Sequence, residues 1–365
     1  MPSPPVPRTY CSYSSSTDRT TQGINMITTH HITTIKPIAQ PRTAHGVYLY
    51  RVDKRAHGHV IVEHAGRVYV HVGDTDRFRE LYPHHTRAVY VRVASVLSRD
   101  VTNEKQAKTA AKFPNVLSLI HYGAPAGSAG LKIHNCRNAT IDCTEWCLNT
   151  AGNGSIPQTQ FCRIARSRIQ AFAPVLFWRM FESELQTWIR FADRESKRLF
   201  IRPNGTTDIW NRYLRNLIIK YPEVGWYDYT AVPARLDDVA TAQDNSELAN
   251  YALTFSVKET ARNHDCARQA LAVGHNLALV CTMPVKRALI GRAYTPATLY
   301  HSGNVNRFVD FDTHDLRLPD TDGRGVIGLL TPKGQARGKT AQRIGRPTMV
   351  FDTADSICAA LELTL

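Results

Sequence analysis

A chain of 365 residues with 43% apolar side chains is too long for one minimal domain and has material for a full-sized core. Its 45 Lys and Arg against 31 Asp and Glu give a net charge of +14, which suits a polyanionic partner such as a nucleotide or nucleic acid, and equally a surface merely kept soluble. No run approaches the roughly 20 apolar residues that cross a bilayer, and the N-terminal stretch lacks the apolar core of a secretory signal, so the expectation is a cytoplasmic protein without a membrane partner.

Residues 1–45, rich in Ser, Thr, Pro and Gln, read as a poorly ordered arm. From Gly46 to about residue 112 the pattern changes to short β-branched and aromatic runs, VYLYRV, HVIVEHAGRVYVHV and AVYVRVASVL, with a hairpin turn at Ala65-Gly66 and a short helix around TDRFRELY. This predicts a small β-rich domain. His57, His59, His64 and His71 fall within it, but their spacing matches no compact metal signature, and solvated strand faces are the expectation there.

After a linker helix, NEKQAKTAAKF, residues 113–345 alternate strand-like and helix-like segments. NVLSLIHYG, LFIRP, VGWYDYT, YALTFS, NLALVC, RFVDFD and GVIGLL read as strands. The stretch from Pro157 to Arg198 reads as two helices divided at Pro174, with Phe177, Phe181, Leu185 and Trp188 at helical intervals. Such alternation predicts an α/β fold, a partial or full (β/α) barrel of parallel strands joined by crossovers. Residues 346–365 form a C-terminal segment.

The strongest chemical signal is Cys136-Arg-Asn-Ala-Thr-Ile-Asp-Cys143-Thr-Glu-Trp-Cys147, followed by a turn containing Gly152 and Gly154. Eight cysteines in a reducing compartment are not a disulfide framework, and three soft thiolates this close can wrap one metal centre. Cys11, Cys266, Cys281 and Cys358 stand alone and read as ordinary thiols. Structural zinc would require a fourth ligand, from His134, Cys162 or a distant histidine; an iron–sulfur cluster could leave one iron open. The glycines would let backbone approach a cofactor, or simply make a turn.

Polar residues at strand ends supply further candidates, because ligands of parallel folds gather there. Asn204 and Asp208 in RPNGTTD could hold amino or ribose groups, or cap a helix. Asp228 and Thr230 in YDYT, and Thr254, Ser256 and Lys258 on one face of LTFSVKE, could line the same pocket or hydrogen-bond locally. Asp208, Asp228 and Lys258 are the candidate catalytic groups. The crowded Asp310, Asp312, His314, Asp315 and Arg317 could bind a divalent metal or move protons, with a polar turn as the favoured account. Lys333 and the basic QARGKTAQRIGR could contact phosphate.

Taken in order, KIHNC to CLNTAGNG, IRPNGTTDIW, WYDYTAVPARL, LTFSVKE, and FVDFDTHDLRLPD with GLLTPKG resemble a group of phage-encoded three-cysteine proteins, over roughly residues 115–345. That group is in turn similar to radical S-adenosylmethionine enzymes. The resemblance implies a [4Fe–4S] cluster on Cys136, Cys143 and Cys147, S-adenosyl-L-methionine on its open iron, an external electron donor, and work in the host cytoplasm on a nucleotide or DNA base in a hypermodification pathway. The spacing here is Cys-x6-Cys-x3-Cys, whereas those enzymes usually carry Cys-x3-Cys-x2-Cys. Two other classes stay open: a zinc-stapled nucleic-acid-binding protein without catalysis, and a base-exchange enzyme of transglycosylase type with Asp208 or Asp228 as nucleophile.

Overall fold

The structure is a computed structural model that describes residues 35–37, 49–52, 59–83, 89–98, 104–297, 303–337 and 348–365. The expected N-terminal arm (apart from residues 35–37), Cys11, His57 and most of QARGKTAQRIGR lie outside them.

Five antiparallel strands, β1 (Ile35–Pro37), β2 (Leu49–Val52), β3 (Ile61–His64), β4 (Arg67–His71) and β5 (Val89–Val93), form the small sheet in the order β1-β2-β5-β4-β3. The β3–β4 hairpin turns at Ala65 and Gly66, both at positive φ, as expected of a two-residue turn whose twist must match its strands. Helix α1 (Asp76–Leu81) follows β4, capped by Thr75, whose hydroxyl accepts from Phe78 N–H.

Helix α2 (Glu104–Lys112) then leads into β6 (Val116–Ile120). A long loop carrying α3 (Ile141–Glu145) runs to the paired helices α4 (Pro157–Phe172) and α5 (Pro174–Arg194), each starting with proline, which needs no N–H partner at that position. Strands and helices alternate from there: β7 (Arg198–Arg202), α6 (Arg212–Lys220), β8 (Gly225–Thr230), α7 (Pro233–Asp244), β9 (Tyr251–Ser256), α8 (Ala261–Ala272), β10 (Asn276–Cys281), α9 (Met283–Leu289). The chain closes with β11 (Thr295–Pro296), β12 (Phe308–Asp310), α10 (Pro319–Asp322), β13 (Ile327–Leu330), β14 (Val350–Phe351), α11 (Ala354–Leu361) and β15 (Leu363–Thr364).

The large sheet has eight strands in the order β12-β13-β10-β9-β8-β7-β6, with β14 added to β10, and every pairing in it is parallel. It has the expected α/β architecture in open form: among the described residues β6 and β12 are its two ends, consistent with a partial barrel. The C-terminal segment joins the sheet through β14, an element too short to be read from two residues.

Alternation sorts the strand side chains. Leu117, Leu119, Leu199, Ile201, Trp226, Leu253, Phe255, Leu277, Leu279, Ile327 and Leu329 share one continuous core with the flanking helices and with Val68, Val70, Val89 and Val91 of the small sheet. The two sheets are thus welded through α4 and α5. On the opposite face the chain after β12 lies across the strands, packing Leu316 on Phe200 and Tyr227, and Phe311 on Ala278 and Val326. A Cβ on Gly328 would sit 1.9 Å from the Phe311 ring. Gly328→Ala should therefore cost about 1–3 kcal/mol in urea unfolding, the usual range for an overpacked core. Among the described residues no helix is long and apolar enough to cross a membrane.

Candidate functional site: a three-cysteine loop

The loop after β6 brings the cysteines to the carboxyl end of the sheet. Asn135 anchors it: its side-chain amide donates to Ala124 O and Ser167 Oγ, both at 2.8 Å. Asp208 N–H donates to Asn135 O at 2.9 Å, so Cys136 lies bridged to Asp208 of the β7–α6 loop. The Cys136 sulfur receives Ala126 N–H at 3.3 Å. Cys143 sits on α3, whose first turn is capped by Thr140 and clasped by Glu259, which accepts from Thr140 Oγ1 (2.8 Å) and Asp142 N–H (3.3 Å). Buried Asp142 takes Met349 N–H at 3.0 Å, and Trp146 packs on Ala336 and Val350, so the C-terminal segment pins the far side. Cys147 starts the next turn, with Asn149 N–H on its sulfur at 3.5 Å.

The three sulfurs share one electrostatic neighbourhood. Burial pushes the Cys136 thiol up to about 12, and Cys143 and Cys147 push it the same way while Ala126 N–H opposes. Cys147 is raised as well, first by burial and then by Cys143. Lys258, just past β9, donates to the Cys143 sulfur at 3.4 Å. Burial lowers its pKa, but Cys143, Asp208 and Cys147 outweigh burial and raise it. All seven described cysteines are free thiols. Among the described residues no group of three or more His, Cys, Asp or Glu stands ready to hold a metal, so the trio is adjacent without being preassembled. Of the expected fourth ligands, His134 is exposed, and Cys162 on α4 has Arg166 and Arg163 as its charged neighbours.

The glycines after Cys147 have a local account. Gly152 is at φ +52 in open space, and a Cβ on Gly154 would lie 2.5 Å from Asn149 O and 2.9 Å from Arg163 Nη1. They let two tight turns fold back beside Cys147.

The strand-end polar groups divide differently from the expectation. Asp228 shares the parity of Trp226 and turns under α7, away from any open mouth, fully buried. One of its oxygens accepts from Asn204 Nδ2 (2.6 Å) and Arg235 Nη2 (2.7 Å). Asp208 takes Arg235 Nη1 (2.7 Å), Thr230 Oγ1 (3.0 Å) and Ala231 N–H (2.8 Å). Asn204 spends its remaining capacity on Thr207 and Ile209. These four, Asn204, Asp208, Asp228 and Thr230, therefore form an internal clamp around Arg235, in which the second Asp228 oxygen takes only the adjacent Tyr229 N–H at 3.2 Å. Lys258 is the candidate catalytic group whose side chain hydrogen-bonds a cysteine sulfur. Ser256 and Thr254 lie on the face opposite the helix-covered core.

The crowded acids near the C-terminus pair separately. Asp310 and Asp312 hold Lys286 at 2.6 and 2.8 Å, and Lys333 also meets Asp312 (3.1 Å). Asp315 holds Arg202 (3.0 Å) and Tyr227 Oη (3.1 Å), while Arg317 holds Asp322 and His314. They staple the crossing segment to the sheet, and Lys333 has a carboxylate partner of its own. His71 lies beside Asp74 at 3.5 Å.

Sequence reasoning missed Arg235, Glu259 and Arg163. Only Arg235 left a readable trace: Pro233 marks a helix start, placing an arginine in the first turn, seven residues after a strand aspartate. No curated protein and no solved structure matches the chain. A family model described as gene product 88 matches residues 95–346, starting just past β5 and taking in the cysteine loop and most of the parallel sheet. With more than half of its 365 residues matched, the chain belongs to the gene product 88 family.

Proposed function

We propose that the protein is an iron–sulfur enzyme of the radical S-adenosylmethionine type that modifies a nucleotide or DNA base. The observation that carries this reading is the convergence of Cys136, Cys143 and Cys147 on one neighbourhood at the carboxyl ends of parallel strands, with Lys258 beside them. The donor set fits: three thiols are soft ligands for iron or zinc. With His134 exposed and Cys162 turned to arginines, a centre with three protein ligands suits the loop better than closed tetrahedral zinc. That the thiols are not preassembled is ordinary for a site whose ligands shed protons and draw together on loading.

When bound, a [4Fe–4S] cluster would supply the electron, received from an external donor, for reductive cleavage of S-adenosylmethionine. The chain's own residues have separate tasks. Ala126 and Asn149 N–H groups steady two sulfurs, and hydrogen bonds of this kind tune such centres. Lys258 offsets the negative charge of three thiolates. Glu259 and Asp142 hold the turn that carries Cys143. The net charge of +14 favours a phosphate-bearing substrate.

Anaerobic reconstitution with iron and sulfide tests the reading. The expected product is brown, carries about four irons per chain, and forms 5′-deoxyadenosine from S-adenosylmethionine under reduction. Single Cys136→Ala, Cys143→Ala and Cys147→Ala variants should each lose the colour. A colourless protein holding zinc, or iron retained after all three substitutions, would overturn it.

A further inference from the structure

A cleft of about 350 Å³ opens beside Cys147, between α1 of the small sheet's unit and the turns that follow the third cysteine. Asn149 joins it to the cysteines, since it lines the cleft and its backbone N–H lies on the Cys147 sulfur. The volume lies at the small end of the range for ligand pockets, enough for one compact molecule. Ala124 and Ile164 give it an apolar surface against which a flat ring can rest.

The wall has a definite hydrogen-bonding character. Ser128, Thr150 and Ser155 each donate their hydroxyl proton to a backbone carbonyl, of Pro125, Cys147 and Gly152, leaving oxygens that can only accept from a ligand. The donors stand elsewhere. Asn149 Oδ1 is taken by Arg163 Nη1 (2.6 Å), so its Nδ2 is the group left for a ligand. Arg77 spends Nε on Gln160 and Nη1 on Glu80, which leaves Nη2 with no partner among the described residues.

Positive charge is in excess here. Arg163 stands behind Asn149, only 7% exposed, without a carboxylate partner among the described residues and with a buried Nε that makes no hydrogen bond. Its guanidinium stacks 4.9 Å from the Tyr122 ring instead. A buried cation with no carboxylate partner among the described residues, whose anionic neighbours are the Cys147 and Cys162 thiols, stands behind an acceptor-lined cleft and favours an anionic ligand that also carries N–H or O–H groups.

We infer that this cleft binds a single nucleoside 5′-monophosphate, its phosphate toward Arg77 and Asn149 and its sugar hydroxyls and base N–H toward Ser128, Thr150 and Ser155. The inference rests on the iron–sulfur reading only in naming this nucleotide as the substrate. The cleft's small volume favours a one-ring base. Arg77 lies outside the matched family region, so the phosphate contact belongs to this chain's N-terminal addition. The unit bound could arrive as a free nucleotide or within a DNA strand that presents an unstacked base.

Calorimetric titration of the full chain without iron, using thymidine 5′-monophosphate, thymidine, inorganic phosphate and a short oligothymidylate, separates these possibilities. The nucleotide should bind more tightly than thymidine or phosphate. Arg77→Gln should weaken the nucleotide about tenfold or more, the usual worth of a charged hydrogen bond, and leave thymidine unchanged. Asn149→Ala should likewise weaken the nucleotide and leave thymidine unchanged, with urea midpoints showing that each variant folds. An oligothymidylate that binds with the same sensitivity to both variants supports the same pocket and identifies a strand as the source. No binding, binding indifferent to both variants, or competition by S-adenosylmethionine would overturn the inference. Because no cluster is present, failure here leaves the iron–sulfur reading standing, and success here does not depend on it.

Discussion

Arg235→Ala should lose about 3–5 kcal/mol of stability in denaturant unfolding, the typical cost of removing one partner from a buried ion pair. Arg235 is 1% exposed and lies between two carboxylates, Asp208 and the fully buried Asp228. It also reaches the Tyr251 hydroxyl and packs over Trp210 at 5.2 Å. Burial raises the Asp228 pKa even against the pull of Arg235, so taking the guanidinium away leaves a buried carboxylate held at that oxygen only by the neutral Asn204 amide. A double substitution, Arg235→Met with Asp228→Asn, should recover part of the loss, since the penalty is the stranded charge rather than the missing bond. The clamp also bears on the cysteines. Asp208 fastens the backbone at Asn135 and Cys136, so Arg235→Ala should reduce iron retention after reconstitution more than Gly328→Ala does at matched stability.

Acidification below pH 6.5 should destabilise the protein, and His121→Asn should blunt that response. His121 is 1% exposed at the end of β6, and Val96 O, which can only accept, fixes its proton on Nδ1 at 2.8 Å. Its Nε2 is buried with no partner. Burial, reinforced by Arg166, pushes its pKa from 6.5 down to about 3. Between those values the unfolded chain binds the proton and the folded chain does not, so stability falls with falling pH by up to about 1.4 kcal/mol per pH unit. His314, pushed down to about 3 by burial and by Arg317, adds a second contribution of the same sign. Asparagine can keep the hydrogen bond to Val96 and cannot titrate. Measured against its own midpoint at pH 8, the variant should lose one of the two slopes between pH 6.5 and 4 in urea unfolding. An unchanged slope would mean that His121 gains a proton without cost.

Much of the architecture was present in local patterning. Runs such as VLSLI, LFIR and NLALVC are continuous apolar strands because both faces of a parallel sheet are covered, and Pro174 divides two helices because proline ends one and can begin the next. The three cysteines could be read as one centre because they sit in a single short loop, where chain connectivity alone keeps them near each other. What the amino-acid order determined, then, was the succession of strands and helices and the thiol-rich loop between the first strand of the parallel sheet and the first long helix.

The tertiary structure decided whether the sheet would close and which side each strand-end group would face. Closure depends on pairing between strands about two hundred residues apart, and here β12 stays at the open edge while its following segment fills the curve. The orientation of Asp228 depends on strand parity relative to a helix-covered face and on an arginine arriving from the next helix. A carboxylate at a strand end reads the same whether it meets a ligand or Arg235, because its partner is chosen by packing at long range. For the same reason the cleft beside Cys147 could not be read in advance: its walls come from α1, the cysteine loop and α4, segments that touch only because one apolar core holds both sheets.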